Sequence, residues 1–467
     1  FFFQGTMNTF AVFVFLSICG LASCAPQDQL ITSLPGLPGG VQALNFSMYS
    51  GYVNINKEHN TNYFYWFVES QNDPANDPLL IWLNGGPGAS SLMGFFTEHG
   101  PFRPNPDGTT LSLYEYSWNK IANIIYLEAP IGVGFSYSDD KLEYITNDNK
   151  TAIQNYQFLM NWFEMFPEYK ANDFYITGES YGGKYCPELA ANVLDGIQAG
   201  DTPWLNMKGI LVGNPGTESD WYGAPNEYAY LTFLYEHMII PQNKYVAAYN
   251  KCGWSDFLTN CDGDYTNPSR ECKTAIIEAI VYLPRELDVY DIYAPVCLDN
   301  PAASQWTKYV SSWIPGMRYM PDNTTFYPCI DNYMTSYLNQ PEVQSAIHVN
   351  PTVWASYGEE VVYIHEFKWT VVPLWQRFIA QTNWRILIFS GDVDSAVPTI
   401  GTQRWIECLG QPIVNDWRPW YYNNQTAGIR IDYQGISFQT IKGAGHMVPY
   451  YLPAQGYAFY ETWLQES

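Results

Sequence analysis

A pentapeptide at residues 178–182 restricts the local backbone of this chain more than any other segment does. Ser180 stands between two glycines in Gly178-Glu179-Ser180-Tyr181-Gly182, directly after a β-rich run. A tight turn that exposes a serine between a strand and a helix needs small residues on either side. The pentapeptide alone is a weak signal, because glycine and serine are common. Its place after a strand favours a strand–turn–helix unit with a candidate reactive serine.

Short apolar runs recur along the chain, and each has the length of a buried strand. They are residues 79–83, 121–127, 174–177, 210–212 and 385–389. Residues 48–69 are rich in aromatic residues and Val and predict antiparallel strands. Helical spacing over residues 151–166 predicts a helix that Pro167 ends. Together these elements predict an α/β fold with a mixed, mostly parallel central sheet flanked by helices.

Two further turns carry the groups that activate a serine. Asp392 and Asp394 follow the last apolar run, and His446 lies in a Gly-rich stretch near the C-terminus. A serine hydroxyl attacks well when a histidine takes its proton and a carboxylate orients that histidine. The order serine, acid, histidine is the order of the α/β-hydrolase fold. Position alone does not choose between the two aspartates.

A second Gly-rich turn, Asn84-Gly85-Gly86-Pro87-Gly88, ends the first apolar run. It has the place of the loop that donates backbone N–H groups to a tetrahedral oxyanion, and two fixed donors there are worth several kcal/mol. An ordinary Gly-Pro turn is the alternative.

The chain divides into five segments. Residues 1–6 look like the remnant of a cleaved expression tag, and residues 7–24 predict a secretory signal peptide with a short apolar run and small residues near its end. Between about 215 and 350 short helices, turn residues and most of the cysteines predict a largely helical cap inserted into the core. The remaining ranges are 25–214, the first part of the hydrolase core, and 351–467, the second part with the acid and the histidine.

Charge and cysteine content bound the partners and the compartment. The net charge of −24 leaves no basic stripe for nucleic acid and suits solubility in an acidic compartment. No stretch after the signal predicts a membrane helix. Neither HExxH nor paired Cys and His motifs occur, so the sequence predicts no metal and no cofactor.

Nine cysteines are present, and Cys19 and Cys24 fall in the signal. The four from Cys252 to Cys297 are expected to form two disulfides in an oxidising compartment, with connectivity open. Seven cysteines remain after the signal, so at least one is unpaired within the chain or bonded to another chain. Glycosylation acceptors occur at Asn45, Asn149, Asn323 and Asn424.

Four motifs together resemble the serine carboxypeptidases, the family of carboxypeptidase Y and cathepsin A. They are WLNGGPGASS from Trp82, PIGVGFSY from Pro130, GESYGG from Gly178 and GHMVP from Gly445. The resemblance runs from about residue 34 to the C-terminus, with the motifs in order. It implies removal of the last residue of a peptide, through an acyl-enzyme.

The resemblance also implies a role for particular residues. Ser180 would be the nucleophile, His446 the base and then the acid, and Asp394 its orienting carboxylate. The other implied roles are oxyanion donors at Gly86 and Tyr181, a site for the substrate's terminal carboxylate at Asn84, Glu98 and Glu179, and a leaving-residue pocket at Met447. Three negative charges would repel one another, so at least one of the glutamates is expected to hold a proton.

One position departs from the family pattern. Ala89 stands where the family usually has a cysteine bonded to one resembling Cys329. Cys329 is therefore expected to lack its usual partner. Either it pairs elsewhere, with Cys186 or Cys408 as candidates, or packing alone holds the oxyanion loop. Losing such a tether costs a few kcal/mol.

Peptide and protein C-termini are the expected partners, with a monomer or homodimer in the lysosome, vacuole or outside the cell. Two rival functions remain. The first is an acyltransferase or esterase on the same fold, which would not need the two glutamates because it need not recognise a terminal carboxylate. The second is a binding or stabilising partner in a complex.

Overall fold

The computed structural model describes residues 25–217, 225–261, 268–284, 286–297, 327–365 and 370–466. The expected tag remnant, the expected signal peptide and the acceptor Asn323 lie outside these residues.

Ten strands form one sheet in the order β1-β2-β6-β3-β8-β9-β11-β14-β13-β12. Six of them, from β6 to β14 in that order, run parallel, and antiparallel pairs close both edges. The strands are β1 Met48–Asn56, β2 Thr61–Val68, β3 Leu79–Leu83, β6 Asn123–Leu127, β8 Phe174–Glu179, β9 Met207–Gly213, β11 Arg385–Gly391, β12 Ile413–Tyr422, β13 Gln425–Tyr433 and β14 Ile436–Ile441. Two small sheets pair β4 Phe102–Pro104 with β5 Leu111–Leu113 and β7 Ile145–Thr146 with β10 Val362–Tyr363.

Helices cover both faces of the large sheet, because its central strands are apolar on both sides. Within β3 every residue is buried, and Ile81 joins the hydrophobic cluster on one face while Trp82 joins the cluster on the other. The helices of the described residues are α1 Asp148–Met165, α2 Gly182–Ala199, α3 Pro225–Glu236, α4 Gln242–Cys252, α5 Arg270–Ile280, α6 Ile330–Leu338, α7 Pro341–Ala346, α8 Val372–Gln381, α9 Thr399–Glu407, α10 Val448–Tyr451 and α11 Pro453–Gln465.

Helices α3, α4 and α5 pack around a hydrophobic cluster of their own, which includes Leu231, Ala248 and Ile276. Helices α6 and α7 instead pack against a face of the large sheet through residues such as Met334 and Val343. The domain boundaries at 214 and 350 stay a prediction.

The disulfides differ from the sequence expectation. Of the cysteines from 252 to 297, only Cys252 and Cys272 bond to each other. Cys261 bonds to Cys408 and Cys297 to Cys329, so the expectation of two disulfides within that cluster is wrong. Cys329 has a partner other than the usual one, but that partner is neither of the two named candidates, Cys186 and Cys408. Pairing follows which sulfurs the fold brings within bonding distance, and spacing along the chain does not reveal that.

Cys186 is the free cysteine of the described residues, and it is buried. Its unpaired state agrees with the odd number of cysteines after residue 24.

Three of the predicted glycosylation acceptors lie at the surface. Asn45, Asn149 and Asn424 are exposed, and Asn149 lies in the first turn of α1. Their glycosylation stays a prediction. No helix among the described residues combines the length and apolar character that crossing a bilayer requires.

Candidate active site

The serine turn sits at the carboxyl end of the central strand β8. Ser180 has a φ of +59°, a conformation that non-glycine residues rarely adopt. A Cβ on Gly178 would lie 2.5 Å from the carbonyl oxygen of Leu83, and one on Gly182 would lie 2.9 Å from it. Both glycines are therefore required for the close approach of this turn to β3. Ser180 itself is part-exposed.

A buried carboxylate and imidazole face each other further along the sheet edge, after β11 and β14. The Nδ1 atom of His446 lies 2.7 Å from Oδ2 of Asp394, and the two side chains are 2% and 0% exposed. Asp394 also accepts hydrogen bonds from Asn214 Nδ2 at 2.8 Å and from the backbone N–H of Ala396 at 2.7 Å. These bonds orient the carboxylate toward the ring, so Nδ1 carries the proton it donates and Nε2 is left as the acceptor.

Asp392 takes a different position. Its Oδ1 accepts the backbone N–H of Gly443 at 2.6 Å, which closes the turn that leads to His446. The geometry separates the two aspartates that position along the chain left open, and it agrees with the choice that the family resemblance implied: Asp394 bonds to the imidazole, and Asp392 supports the loop that carries it.

The parallel sheet brings the serine and histidine loops to one edge. Strands β8, β9, β11 and β14 are consecutive neighbours, and their carboxyl ends carry Ser180, Asn214, Asp394 and the loop of His446 in that order. Nε2 of His446 is buried and has no hydrogen-bond partner among the described residues. The expected bond from Ser180 to this nitrogen is therefore not formed in this arrangement, and hydrogen bonds of this kind often tighten only when substrate binds.

The Gly-rich turn after β3 touches the serine turn directly. A Cβ on Gly85 would lie 2.3 Å from the backbone nitrogen of Tyr181 and 2.6 Å from Cβ of Ser180. Gly86 has a φ of +110°, which favours glycine. Tyr181 immediately precedes the first residue of α2, where the helix dipole favours negative charge. The two expected oxyanion donors thus belong to turns that are in van der Waals contact beside Ser180.

Asn84, Glu98 and Glu179 form a buried polar cluster next to these turns. Asn84 Nδ2 donates to Oε1 of Glu98 and to Oε1 of Glu179, both at 2.9 Å. Asn84 Oδ1 accepts from Trp82 Nε1 at 2.7 Å and from the backbone N–H of Gly94 at 3.1 Å. With all four bonds made, the amide of Asn84 is held in one orientation.

The two glutamates of this cluster are expected to share a proton. Burial raises the pKa of Glu98, and burial together with the neighbouring Glu98 holds the pKa of Glu179 well above its usual range. The two carboxyl groups lie within hydrogen-bonding reach of each other, and no other described residue bonds to their buried Oε2 atoms. A carboxylate ligand would therefore meet an acidic pair whose proton can be donated.

Met447 follows His446 and is 8% exposed. It packs in a small cluster with Ile330 and Tyr450. Its place beside the imidazole is compatible with the wall of a pocket at this edge of the sheet.

Sequence reasoning missed two groups that hold the catalytic loops. Asn214 bonds to Asp394 and accepts the backbone N–H of Gly391 at 3.0 Å. The carbonyl oxygen of Tyr290 accepts the backbone N–H of His446 at 2.7 Å. Asn214 directly follows the buried strand β9, and a polar residue at the carboxyl end of a parallel strand was a usable signal. No local pattern marks Tyr290.

No group of three or more His, Cys, Asp or Glu residues that could bind a metal ion occurs in the described part of the chain. The polar groups at this edge instead form a set suited to acyl transfer: a serine, an imidazole with a fixed tautomer, backbone donors and an acidic pair.

Comparison with known proteins agrees with this geometry. The family described as "Serine carboxypeptidase" matches residues 38–466. "Serine carboxypeptidase-like 20" of Arabidopsis thaliana is 36% identical, with 98% of this chain and 97% of that protein covered. "Serine carboxypeptidase 1" of Hordeum vulgare is also 36% identical, with 95% of this chain and 94% of that protein covered.

A solved structure of a prohormone-processing carboxypeptidase from Saccharomyces cerevisiae has a TM-score of 0.72 to this chain, at 20% identity and with 94% of this chain and 96% of that chain covered. That likeness concerns the fold, and the α/β-hydrolase architecture expected from the sequence is confirmed. With the family match spanning nearly all of the described residues, the resemblance seen in the motifs is confirmed too: the chain belongs to the serine carboxypeptidase family and is a serine-type hydrolase.

Proposed function

We propose that this protein releases the C-terminal amino acid from peptides and proteins, through an acyl-enzyme on Ser180 and most effectively at acid pH. The observation that carries the proposal is the buried pair of Glu98 and Glu179, joined by Asn84, directly beside the serine turn. An enzyme that cleaves within a chain has no need of a buried acidic pair there, whereas a protonated pair suits a terminal carboxylate.

In the first half of the reaction the Ser180 hydroxyl attacks the last peptide carbonyl, and Nε2 of His446 takes the hydroxyl proton. Asp394 keeps Nδ1 protonated and stabilises the imidazolium that forms. The negative charge on the former carbonyl oxygen is met by the N–H groups of Gly86 and Tyr181. His446 then gives its proton to the leaving amine, and the C–N bond breaks.

The second half repeats these steps with water. His446 takes a proton from a water molecule, which attacks the acyl-enzyme ester. The tetrahedral intermediate collapses, the proton returns to Ser180, and the shortened peptide leaves with a new C-terminal carboxylate. Met447 lines the pocket that the released residue occupies.

Release of a free amino acid from an N-blocked dipeptide tests the proposal. The wild-type chain is expected to release the C-terminal residue and to be labelled by a fluorophosphonate, and both Ser180→Ala and His446→Ala are expected to abolish both. Transfer of an acyl group from an added ester to an added alcohol, with no amino acid released from the dipeptide, would indicate the acyltransferase or esterase alternative. An unlabelled, inactive wild type would favour a binding or stabilising role.

The location and assembly belong to the same proposal. Three disulfides and exposed acceptor asparagines support passage through the secretory pathway to a lysosome, a vacuole or the extracellular space. The proposed signal peptide at 7–24 and a monomer or homodimer complete it. Mass spectrometry of the mature protein tests the signal cleavage and the glycans, and light scattering tests the assembly.

A further inference from the structure

Glu128 is a buried carboxyl group that the proposed reaction does not use. It directly follows β6 and is 0% exposed. Its Oε1 accepts hydrogen bonds from Ser90 Oγ at 2.5 Å and from Trp354 Nε1 at 2.8 Å, and its Oε2 accepts the backbone N–H of Phe135 at 2.6 Å. Three segments far apart in sequence therefore meet at one side chain.

One of these segments carries the proposed oxyanion donor, and a second lies beside it. The first is the oxyanion loop, residues 84–91, which contains both Gly86 and Ser90. The outer strip, residues 354–358, runs beside it: Ser90 N–H donates to the carbonyl of Ser356 at 2.8 Å, and Gly358 N–H donates to the carbonyl of Gly88 at 3.0 Å. An isolated bridge pairs Ala89 with Tyr357. The loop thus takes its outer support from the strip.

Glu128 holds both sides of this contact. It bonds to the loop through Ser90 and to the strip through Trp354, which is 1% exposed. The oxyanion loop contains no cysteine, and Cys329 bonds to Cys297, so no disulfide ties the loop to the rest of the protein. The carboxyl group is a fully buried polar link between the two segments.

A displacement of the oxyanion loop would act on Ser180 directly, because no residue lies between the loop and the serine turn. Gly85 lies against the backbone nitrogen of Tyr181 and Cβ of Ser180 so closely that a Cβ has no room. Losing one oxyanion donor costs about 100- to 1,000-fold in kcat, and a misplacement of about 1 Å can cost about 100-fold. Support of the loop is therefore coupled to the chemistry.

We propose that Glu128 is a positioning residue for acyl transfer, which fastens the oxyanion loop to the outer strip and so holds the Gly86 N–H in place relative to Ser180. The inference rests on the proposed function, because it assigns Glu128 a part in the same reaction. Glu128 touches no substrate in this account and acts through the loop alone.

The carboxyl suits this role in both of its protonation states. Burial raises its pKa to about 7, against the opposing effect of the hydrogen bonds from Ser90, Phe135 and Trp354. The Phe135 and Trp354 groups can only donate, whereas the Ser90 hydroxyl can donate to a carboxylate or accept from a carboxylic acid. Tyr52 is an ionisable group whose own pKa the Glu128 charge helps to raise, after burial.

Three variants of the full chain test the proposal: Glu128→Gln, Ser90→Ala and Trp354→Phe. In Glu128→Gln an amide NH₂ must face at least one N–H donor, so at least one of the three bonds is lost. Each variant is expected to lower kcat about tenfold or more for the blocked dipeptide, with KM within about threefold of wild type, because the carboxylate site at Glu98 and Glu179 is untouched.

Matched controls separate positioning from general loss of stability. Asp77 also accepts a serine hydroxyl, from Ser70 at 2.5 Å, and a backbone N–H, from Asp73 at 2.9 Å, but it lies before β3, at the opposite end of that strand from the site. Trp420 donates from Nε1 to a carbonyl at 2.8 Å in the hairpin at the sheet edge. Asp77→Asn and Trp420→Phe are expected to keep kcat within about twofold, whatever their melting temperatures.

A peptide aldehyde gives a readout that a purely structural role would not move. Its adduct with Ser180 places an oxygen between the proposed donors, so its Ki is expected to rise about tenfold in the Glu128 variant while the Ki of the free product amino acid stays constant. Unchanged kcat and aldehyde Ki in Glu128→Gln would overturn the inference, as would equal losses in Asp77→Asn.

If Glu128→Gln yields no folded protein, the kcat and the aldehyde Ki of Trp354→Phe are compared with those of its control, Trp420→Phe, and the same outcomes decide. A wild type that releases no amino acid would overturn the proposed function, and this inference with it. An active wild type with an equally active Glu128→Gln variant would overturn this inference alone.

Discussion

The affinity for a free peptide C-terminus is expected to fall steeply as pH rises through the pKa values of Glu98 and Glu179. Burial raises both pKa values, so the pair holds at least one proton at acid pH and keeps it to a higher pH than an ordinary glutamate does. Both hydrogens of the Asn84 amide are already donated to this pair, so Asn84 has no further hydrogen to offer the incoming carboxylate. Binding therefore depends on the proton that the glutamates share.

The size of the effect follows from the cluster. When binding requires one proton, the binding free energy weakens by about 1.4 kcal/mol, and KM rises about tenfold, for each pH unit above the apparent pKa of the pair. The increase in KM levels off once the pair is fully ionised, because its repulsion of the substrate carboxylate can then grow no further. For charges about 4 Å apart at an effective dielectric constant near 20, that limit is about 4 kcal/mol, or roughly 1,000-fold.

Steady-state kinetics of amino acid release between about pH 4.5 and 7.5 measure this effect. We expect KM for the blocked dipeptide acid to rise at least about tenfold over this range, and KM for the matching dipeptide amide to change less than about threefold. Glu179→Gln is expected to flatten the profile, because an uncharged amide can donate at every pH. A flat KM for the acid, or an equal rise for the amide, would refute the reasoning.

Three further predictions concern groups around the site. Asn214→Gly removes a hydrogen bond to Asp394 and tolerates the positive φ of this position, so kcat is expected to fall about tenfold at constant KM; unchanged kcat would contradict this. Burial raises the pKa of Glu128 to about 7, so the folded state keeps a proton that the unfolded chain releases near pH 4.5, and the free energy of unfolding falls by up to about 3 kcal/mol as pH rises to 7. Thermal unfolding at pH 5 and 7.5 should show this decrease, and it should be smaller in Glu128→Gln. Iodoacetamide is expected to label one thiol of the mature chain, Cys186, and only in denaturant. A second adduct in the intact mass would contradict the three disulfides, and an adduct formed without denaturant would contradict the burial of Cys186.

Local patterns predicted much of the sheet well. The apolar run at 79–83 coincides with β3, and the run at 385–389 lies within β11. The run at 174–177 is the start of β8, which continues to Glu179. Continuous apolar runs report burial on both faces, which is why the parallel centre was predictable. The long hairpin of β12 and β13 was not anticipated, because β12 is largely exposed and lacks such a run.

The site was predictable where a turn has a stringent local requirement. The glycines around Ser180 and the Gly-rich turn after β3 mark backbone that approaches other backbone closely, and that requirement is visible in the residue types. Glu98 is different. It lies in the π-helical turn Gly94–Glu98, and only the family resemblance, not a local pattern, singled it out.

The sequence by itself determined the strand-forming runs, the turns that expose a serine and a histidine, the order of the three catalytic candidates and the family. Tertiary structure decided that Asn214 bonds to Asp394, that Cys329 pairs with Cys297, and that Glu128 links two loops. The physical reason is range: a turn or a buried strand depends on neighbouring residues, whereas these pairings depend on which distant segments the sheet order brings within hydrogen-bond or disulfide distance.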